Sequence, residues 1–314
     1  MSAVHVLYEN ASWLPPLAEA LDARRLPWEA QFVDGGTIDL TGAPPDGIFV
    51  NRMSPSAHTR GHQGGVRYTA ELLGWLEARG RRVLNGSRAF ALEVSKVRQD
   101  WTLRAAGIST PDTVAVVGTA GLRAAARRLG APFVTKHNQG GKGLGVVSYR
   151  DLATFDAAVD AGLEQSPDGV TLLQRYIEPR DASITRVEIV GHRFLYALRS
   201  STEGGFELCP ADACAVDDAF CPVGEAPGSK FRFRPEITAD DPLIQALVAY
   251  TRTHALDVAG IEYVEDRDGN RFVYDVNANS NFNAEVEAEA GVRGMVELAG
   301  LCEVALARPS VAAK

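Results

Sequence analysis

The sequence lacks a basic surplus. Its 314 residues carry 32 Lys and Arg against 40 Asp and Glu, a formal net charge of −8. Nucleic-acid binders neutralise phosphates with clustered Lys and Arg, so this balance argues against that class. It also lacks any apolar run of the roughly 18 to 20 residues that a membrane span needs. The N-terminal Met1-Ser2-Ala3-Val4-His5 has no basic stretch leading into an apolar one, so no secretory signal is expected. Cysteine is scarce, at Cys209, Cys214, Cys221 and Cys302. In a cytoplasmic chain of this size these are not expected to build a disulfide framework. Three of them fall in Cys209-Pro-Ala-Asp-Ala-Cys214 and Cys221-Pro222, without the Cys-x2-Cys pairs of common zinc sites. The spacing favours a structural or substrate-pocket loop over a metal site or a redox pair. A cytoplasmic protein with no nucleic-acid and no membrane partner is the expectation. The length allows two or three packed subdomains.

What is present alternates by period. Val4–Tyr8, Glu29–Val33, Gly47–Asn51 and Arg82–Leu84 are short apolar runs. Pro15–Arg25 and Val66–Arg79 space their apolar residues as helices do, with Ser12 placed to cap the first and Gly80 to stop the second. This predicts a small parallel sheet covered by helices over residues 1–90. A second unit over 91–175 reads as helices Ser95–Ala106, Gly121–Leu129 and Asp151–Leu163 and strands Thr113–Val117, Pro132–Lys136, Gly145–Tyr149 and Gly169–Gln174. A third, over 176–308, is antiparallel in pattern. Thr185–Val190 and Arg193–Leu198 flank a Gly191-His192 turn, and Gly260–Glu265 and Arg271–Asn277 flank Asp266-Arg-Asp-Gly-Asn270. Asp241–His254 reads as a helix and Ala288–Ala307 as a helix or helix pair. The class expected is α/β, turning to α+β in the C-terminal half. Lys230-Phe-Arg-Phe-Arg234 reads as an edge strand with one solvated face. The basic, glycine-broken stretch Arg52–Arg67 has two readings, a receptor for an anionic substrate or a disordered surface loop.

The last hairpin carries the sharpest chemistry. With the turn centred near Asp268-Gly269, Val264 falls opposite Val273 and Glu262 opposite Asp275. Alternation puts Asp275 and Asn277 on one face. Directly opposed residues lie about 5 Å apart at Cβ. Two carboxylates so close repel, and a divalent cation resolves the conflict. The all-oxygen donor set Glu262, Asp275 and Asn277 suits Mg²⁺, with Mn²⁺ as its substitute. Four asparagines at period two, Asn277 to Asn283, make a poor strand but a good polar cavity lining.

The segment Lys136-His-Asn-Gln-Gly140-Gly141-Lys142-Gly143 has the composition of a phosphate loop, in which glycines bring backbone N–H groups close to an anion. It is no Walker A motif, because Gly143 stands where Ser or Thr is needed. A strand follows it rather than a helix, so it is no dinucleotide fingerprint. Strand, loop and strand together predict a flap over phosphates, with Lys136 ending the first strand beside it.

Together these segments resemble the ATP-grasp superfamily, in particular RimK-type glutamate ligases and glutathione-synthetase-like enzymes. Ser95-Lys96-Val97-Arg98 followed by Gly107-Ile-Ser-Thr-Pro111 is similar to that family's lysine helix and its exit. Leu172-Leu-Gln174-Arg-Tyr176-Ile177-Glu178 is similar to its hinge strand. The resemblance runs from about residue 90 to 300. It implies an ATP-grasp fold behind an N-terminal parallel-sheet domain. It implies that Lys96, Lys136 and the loop Gly140, Gly141, Lys142 and Gly143 hold ATP phosphates. By the same resemblance Gln174, Tyr176 and Ile177 face adenine, Glu178 takes the ribose, and Arg186 and Arg199 stand near the transferred phosphate. Arg52 and Asn279 are candidates for substrate contact. The activity implied joins a small-molecule or peptide carboxylate to an amine through an acyl phosphate, in a homodimer or tetramer. A kinase of the same fold and a non-catalytic nucleotide-binding module stay open as alternatives. Ile184, the asparagine run and the Cys209–Cys221 segment depart from the family pattern and leave the substrate unassigned.

Overall fold

The computed structural model describes residues 2–141, 143, 145–202 and 230–307. Cys209, Cys214, Cys221 and Lys142 lie outside them. Cys302, within them, is a free and buried thiol.

The N-terminal elements are β1 (Ala3–Tyr8), α1 (Pro15–Ala23), β2 (Trp28–Phe32), β3 (Gly47–Arg52), α2 (Gly65–Ala78) and β4 (Arg82–Leu84). The strands form a parallel sheet in the order β2-β1-β3-β4. Alternation along β1 sends Val4 and Val6 to one face, where they meet Leu17 and Leu21 of α1. Leu7 goes to the other, against Leu72, Leu73 and Leu76 of α2. Ser12 does not cap α1; its N–H and hydroxyl bond to Asn10 instead. Prolines in the first turn start the helix, where a missing N–H costs nothing.

The chain continues through α3 (Ser87–Glu93), α4 (Lys96–Ala105), β5 (Thr113–Val117), α5 (Leu122–Leu129), β6 (Phe133–His137), β7 (Val147–Tyr149), α6 (Leu152–Asp160) and β8 (Val170–Arg175). Helix α3 was not anticipated: it is short and Gly86 at its start makes no side-chain cap. Ser95 and Asp151 do cap α4 and α6, accepting from Arg98 N and Thr154 N. The second sheet runs β5-β8-β6-β7 and is antiparallel. Phe133 and Leu173 on one face pack with Leu122, Leu129 and Phe155. Val134, Lys136 and Gln174 take the opposite face, because Val134 pairs with Gln174 and Lys136 follows two positions on.

The third group is β9 (Ser183–Val190), β10 (Arg193–Ser201), β11 (Phe231–Phe233), α7 (Pro242–His254), β12 (Val258–Glu265), β13 (Arg271–Asn277), α8 (Ala284–Ala290) and α9 (Gly294–Ala307). Its antiparallel sheet has the order β11-β10-β9-β12-β13, with β11 on the edge and Arg232 exposed. Val187, Ile189, Ile261 and Tyr263 pack on Ile244, Leu247 and Tyr250 of α7. The other face carries Arg186, Glu188 and Glu262. Helix α9 turns back onto the N-terminal sheet, placing Leu298 and Cys302 beside Val4 and Ile48. Asn85 locks this junction: its side chain bonds to both the N–H and the carbonyl of Val258. Among the described residues no helix is long and apolar enough to cross a membrane.

Candidate active site

Between the second and third sheets lies a cleft of about 950 Å³. One end has apolar walls, with Val134 and Val146 on one side and Ile184 and Val264 on the other. Such walls suit a flat, uncharged ring. Gln174 and Tyr176 border this end. Gln174 is oriented by Thr113 Oγ1, to which its amide donates at 2.9 Å. The Tyr176 N–H donates to the Pro132 carbonyl at 3.2 Å.

The other end is charged. Lys96, at the start of α4, reaches across to Asp275 on β13 and forms an ion pair. Glu262 stands opposite Asp275 in the sheet register. The pairing beyond them differs from expectation, since Tyr263 rather than Val264 faces Val273. A bulge at Tyr274 causes the shift and lets its hydroxyl donate to Glu262 Oε2 at 3.1 Å. Lys136 lies with its ammonium 4.7 Å from the Tyr274 ring centroid. Burial and the neighbouring Lys96 hold its pKa down to about 8. Burial also raises the Glu262 carboxyl, with Arg186 opposing and Asp275 adding to the rise. Burial pushes Asp275 upward most strongly, but Lys96, Lys136 and the Asn277 amide together outweigh it and the carboxyl sits below its ordinary value.

Arg186 on β9 is held from three sides. Its Nε donates to Glu188 at 2.6 Å, Nη1 to Glu262 at 2.8 Å and Nη2 to Ser280 Oγ at 3.1 Å. Burial opposes its charge, yet Glu188 and Glu262 hold the guanidinium above its ordinary pKa. It lies flat over β12 only because residue 260 is glycine: a Cβ there would sit 1.9 Å from Nη2.

The glycine loop caps this charged end. Gly140, Gly141 and Gly143 line the cleft. Gly143 and Gly145 have φ of 76° and 72°, in the left-handed region that favours glycine. Asn138 anchors the loop. Its side-chain oxygen accepts from Val97 N at 2.9 Å and its carbonyl from Lys96 N at 3.2 Å. This ties the loop to the first turn of α4.

Not every residue singled out from the sequence reaches the cleft. Glu262, Asp275, Lys96, Lys136, Gln174, Tyr176 and Ile177 line it. Asn277 donates to Asp275 Oδ2 at 3.2 Å and lines an adjoining cavity with Arg186 and Asn279. Glu178 points outward and pairs with Arg267. Arg199 is not beside Arg186. It pairs in register with Thr185, so it lies on the opposite face, where it bonds to the Asp181 carbonyl at 2.9 Å. Arg52 is buried and its guanidinium is spent on the Ser280 carbonyl at 2.8 Å, the Trp13 carbonyl and the Asn281 side chain. It joins two parts of the fold rather than facing a substrate. The Arg52–Arg67 stretch is ordered: Arg60 forms a two-pronged pair with buried Glu9, and His62 bonds to the same carboxylate. Sequence reasoning missed Asn138, Tyr274, Glu188 and the role of Gly260. Only glycine inside a strand pattern was a readable signal among these.

Two sheets closing on such a cleft, with a glycine flap over facing lysines and carboxylates, make the ATP-grasp fold, here behind a parallel-sheet N-terminal unit. Comparison with known proteins agrees. No family model matches the chain. It is 28% identical over 177 residues to a D-alanine–D-alanine ligase of Chromohalobacter salexigens, a match covering 56% of this chain and 51% of that ligase. The match thus spans about half the length of that relative. The structure of a D-alanine–D-alanine ligase from Bacillus anthracis complexed with ATP superposes with a TM-score of 0.68 at 16% identity, covering 97% of each chain. The ATP-grasp ligase PsnB, complexed with a minimal precursor, Mg and ADP, superposes with a TM-score of 0.64 at 17% identity, covering 97% of this chain and 98% of that one.

The donor set fits a divalent cation. Glu262 and Asp275 offer hard oxygens in register, and Asn277 adds an amide oxygen. Among the described residues no group of three or more His, Cys, Asp and Glu assembles to cage a metal. Two carboxylates with phosphate oxygens and water is a usual Mg²⁺ arrangement.

Proposed function

We propose that the protein is an ATP-dependent carboxylate–amine ligase working through an acyl phosphate. One observation carries this reading: the buried Glu262 and the part-buried Asp275 stand in register at the charged end of an apolar-walled cleft that Lys96 and Lys136 also line. The apolar end takes adenine, with Gln174, Tyr176 and Ile177 at its edge. Glu178 would take the ribose only by leaving Arg267 and turning inward. Lys96, Lys136 and the backbone of Gly140, Gly141 and Gly143, with Lys142, hold the phosphates. Mg²⁺, or Mn²⁺ in its place, would be held by Glu262, Asp275 and Asn277 and would offset charge on those phosphates. Lys96 and Arg186 then release the carboxylates they now pair with and turn toward the anions.

Arg186 borders both the charged end and the adjoining cavity, so it can hold a substrate carboxylate in line with the transferred phosphoryl group. Positioning and charge neutralisation dominate such a transfer. The amine then attacks the acyl carbon and phosphate leaves. No cysteine or histidine is required. The need for ATP as co-substrate supports a cytoplasmic location. The test is ADP release measured with carboxylates, amines and both together, with products weighed by mass spectrometry. Release that needs both partners and yields a mass equal to the two joined less water is expected. Release with a hydroxyl compound alone would replace the ligase reading with a kinase.

A further inference from the structure

Beside the main cleft lies a second cavity of about 480 Å³. It shares Gly141 with the cleft, so it opens against the phosphate flap. Resting on the ligase reading above, we propose that Glu93, at the end of α3, binds the primary ammonium group of a substrate in this cavity.

Glu93 is the one acidic residue among the described lining residues, and it is only 6% exposed. Its Oε2 accepts from the Ala278 N–H. Among the described residues no Lys, Arg or His forms an ion pair with it. The cations around it are engaged elsewhere. Lys96 pairs with Asp275, and Arg186 with Glu188 and Glu262. Arg52 spends its guanidinium on the Ser280 and Trp13 carbonyls and the Asn281 side chain. Binding of Mg·ATP frees no partner for Glu93, because Lys96 and Arg186 then turn toward the phosphates and the substrate carboxylate. Burial pushes the Glu93 pKa up to about 7, with the Ala278 N–H opposing and Asp275 adding to the rise. A buried carboxylate without a counter-ion is costly. An arriving ammonium offsets that cost and gains a charge-assisted hydrogen bond.

An ammonium brings three donors and no acceptor. Besides Glu93 the cavity offers the hydroxyls of Ser54 and Ser56, which bond to each other at 2.9 Å and have lone pairs to spare. Arg186 borders the same cavity. A carboxylate on Arg186 and an ammonium on Glu93 therefore share one space beside the flap. That ammonium has two chemical sources: the amino group of the acid being activated, or the attacking amine before it sheds its proton. A merely structural Glu93 would need only an oxygen for the Ala278 N–H, and a glutamine amide supplies that equally well.

Glu93→Gln tests this, since it removes the charge and keeps the acceptor. The whole protein with Mg·ATP is assayed for ADP release with the twenty amino acids as acids, and with acetate, propionate and succinate as amine-free acids. Each acid is offered first with hydroxylamine, which is mostly uncharged at neutral pH and captures acyl phosphates, and then with amino acids as the attacking amine. Glu93→Gln is expected to raise KM about 10- to 100-fold for the substrate that brings the ammonium, with its thermal stability and its ATP affinity by calorimetry little changed. A raised KM for amino acids in the presence of hydroxylamine identifies the activated acid as the source. A raised KM only for the attacking amine identifies that amine. An unchanged KM for both, a fall in kcat alone, or an equal rise for the amine-free acids with hydroxylamine would overturn the assignment and leave the ligase reading standing. A wild-type protein that binds Mg·ATP yet releases no ADP in response to any acid would sink the ligase reading and this assignment with it.

Discussion

Asp275→Asn removes one negative charge and almost no volume. The lost carboxylate is the partner of Lys96, and the side chains of the pair are only 14% and 16% exposed. This is far from a surface ion pair, whose worth is near zero. Breaking a buried pair by removing one partner costs about 3–5 kcal/mol, because the other charge stays buried. Two effects shrink the loss here. The amide can still accept from Lys96, and Glu262 loses a repelling neighbour. A stability loss near the low end, about 3 kcal/mol, is therefore expected from urea unfolding. Activity should fall further. A metal site reduced from two charged ligands to one should lose about 4 kcal/mol of transition-state stabilisation, or roughly a thousandfold in kcat/KM. ADP release at saturating Mg·ATP reads the second effect at a temperature where the variant is still folded. A variant that unfolds early yet keeps kcat/KM within tenfold, with the same Mg²⁺ dependence, would show that Asp275 serves the fold and not the cation.

Lys136 makes a pH prediction. Its pKa is held at about 8, below the ordinary 10.5. Between those values the unfolded chain binds more protons, so this group makes stability rise with pH across that window. ATP affinity should move the other way, weakening as pH rises through about 8 and the ammonium is lost. Lys136→Arg should flatten that part of the profile in a titration of ATP binding; an identical profile would exclude Lys136 as its source. Gly260→Ala tests the seat of Arg186, since its Cβ would stand 1.9 Å from Nη2. About a hundredfold fall in kcat is expected, with ATP affinity within threefold; unchanged kcat would show that the guanidinium need not lie there.

Much of the cleft was legible because its elements are local. The turn after Glu265 forms where its composition puts it, and Glu262 and Asp275 do face each other, although the turn's own register would pair Glu262 with Tyr274 and a bulge there brings Asp275 into place. The strand and glycine pattern around Lys136 likewise places it at the loop. Failures came where one extra residue changed a register. The two-residue turn pairing Val190 with Arg193 would, if continued evenly, place Arg199 opposite Ile184 and on the face of Arg186. A bulge between Phe194 and Tyr196 shifts the pairing by one and turns Arg199 to the other face. A slip of one residue flips every side chain, and no local composition announces it. The same holds at Tyr274, whose bulge decides which hydroxyl reaches Glu262.

Arg52 shows the other limit. Its place at the end of a strand is readable, but the Ser280 carbonyl that occupies it is 228 positions away. The fold of α9 over the first sheet is equally remote from anything periodic near it. By itself the sequence determined the elements, the hairpin of acidic ligands and the glycine flap, because period, turn chemistry and backbone freedom act over a few residues. Only the tertiary structure decided which arginine serves the cleft and which one clamps two parts of the fold. Those outcomes depend on strand register and on burial against distant chain, where a charge finds its partner only after the core has closed.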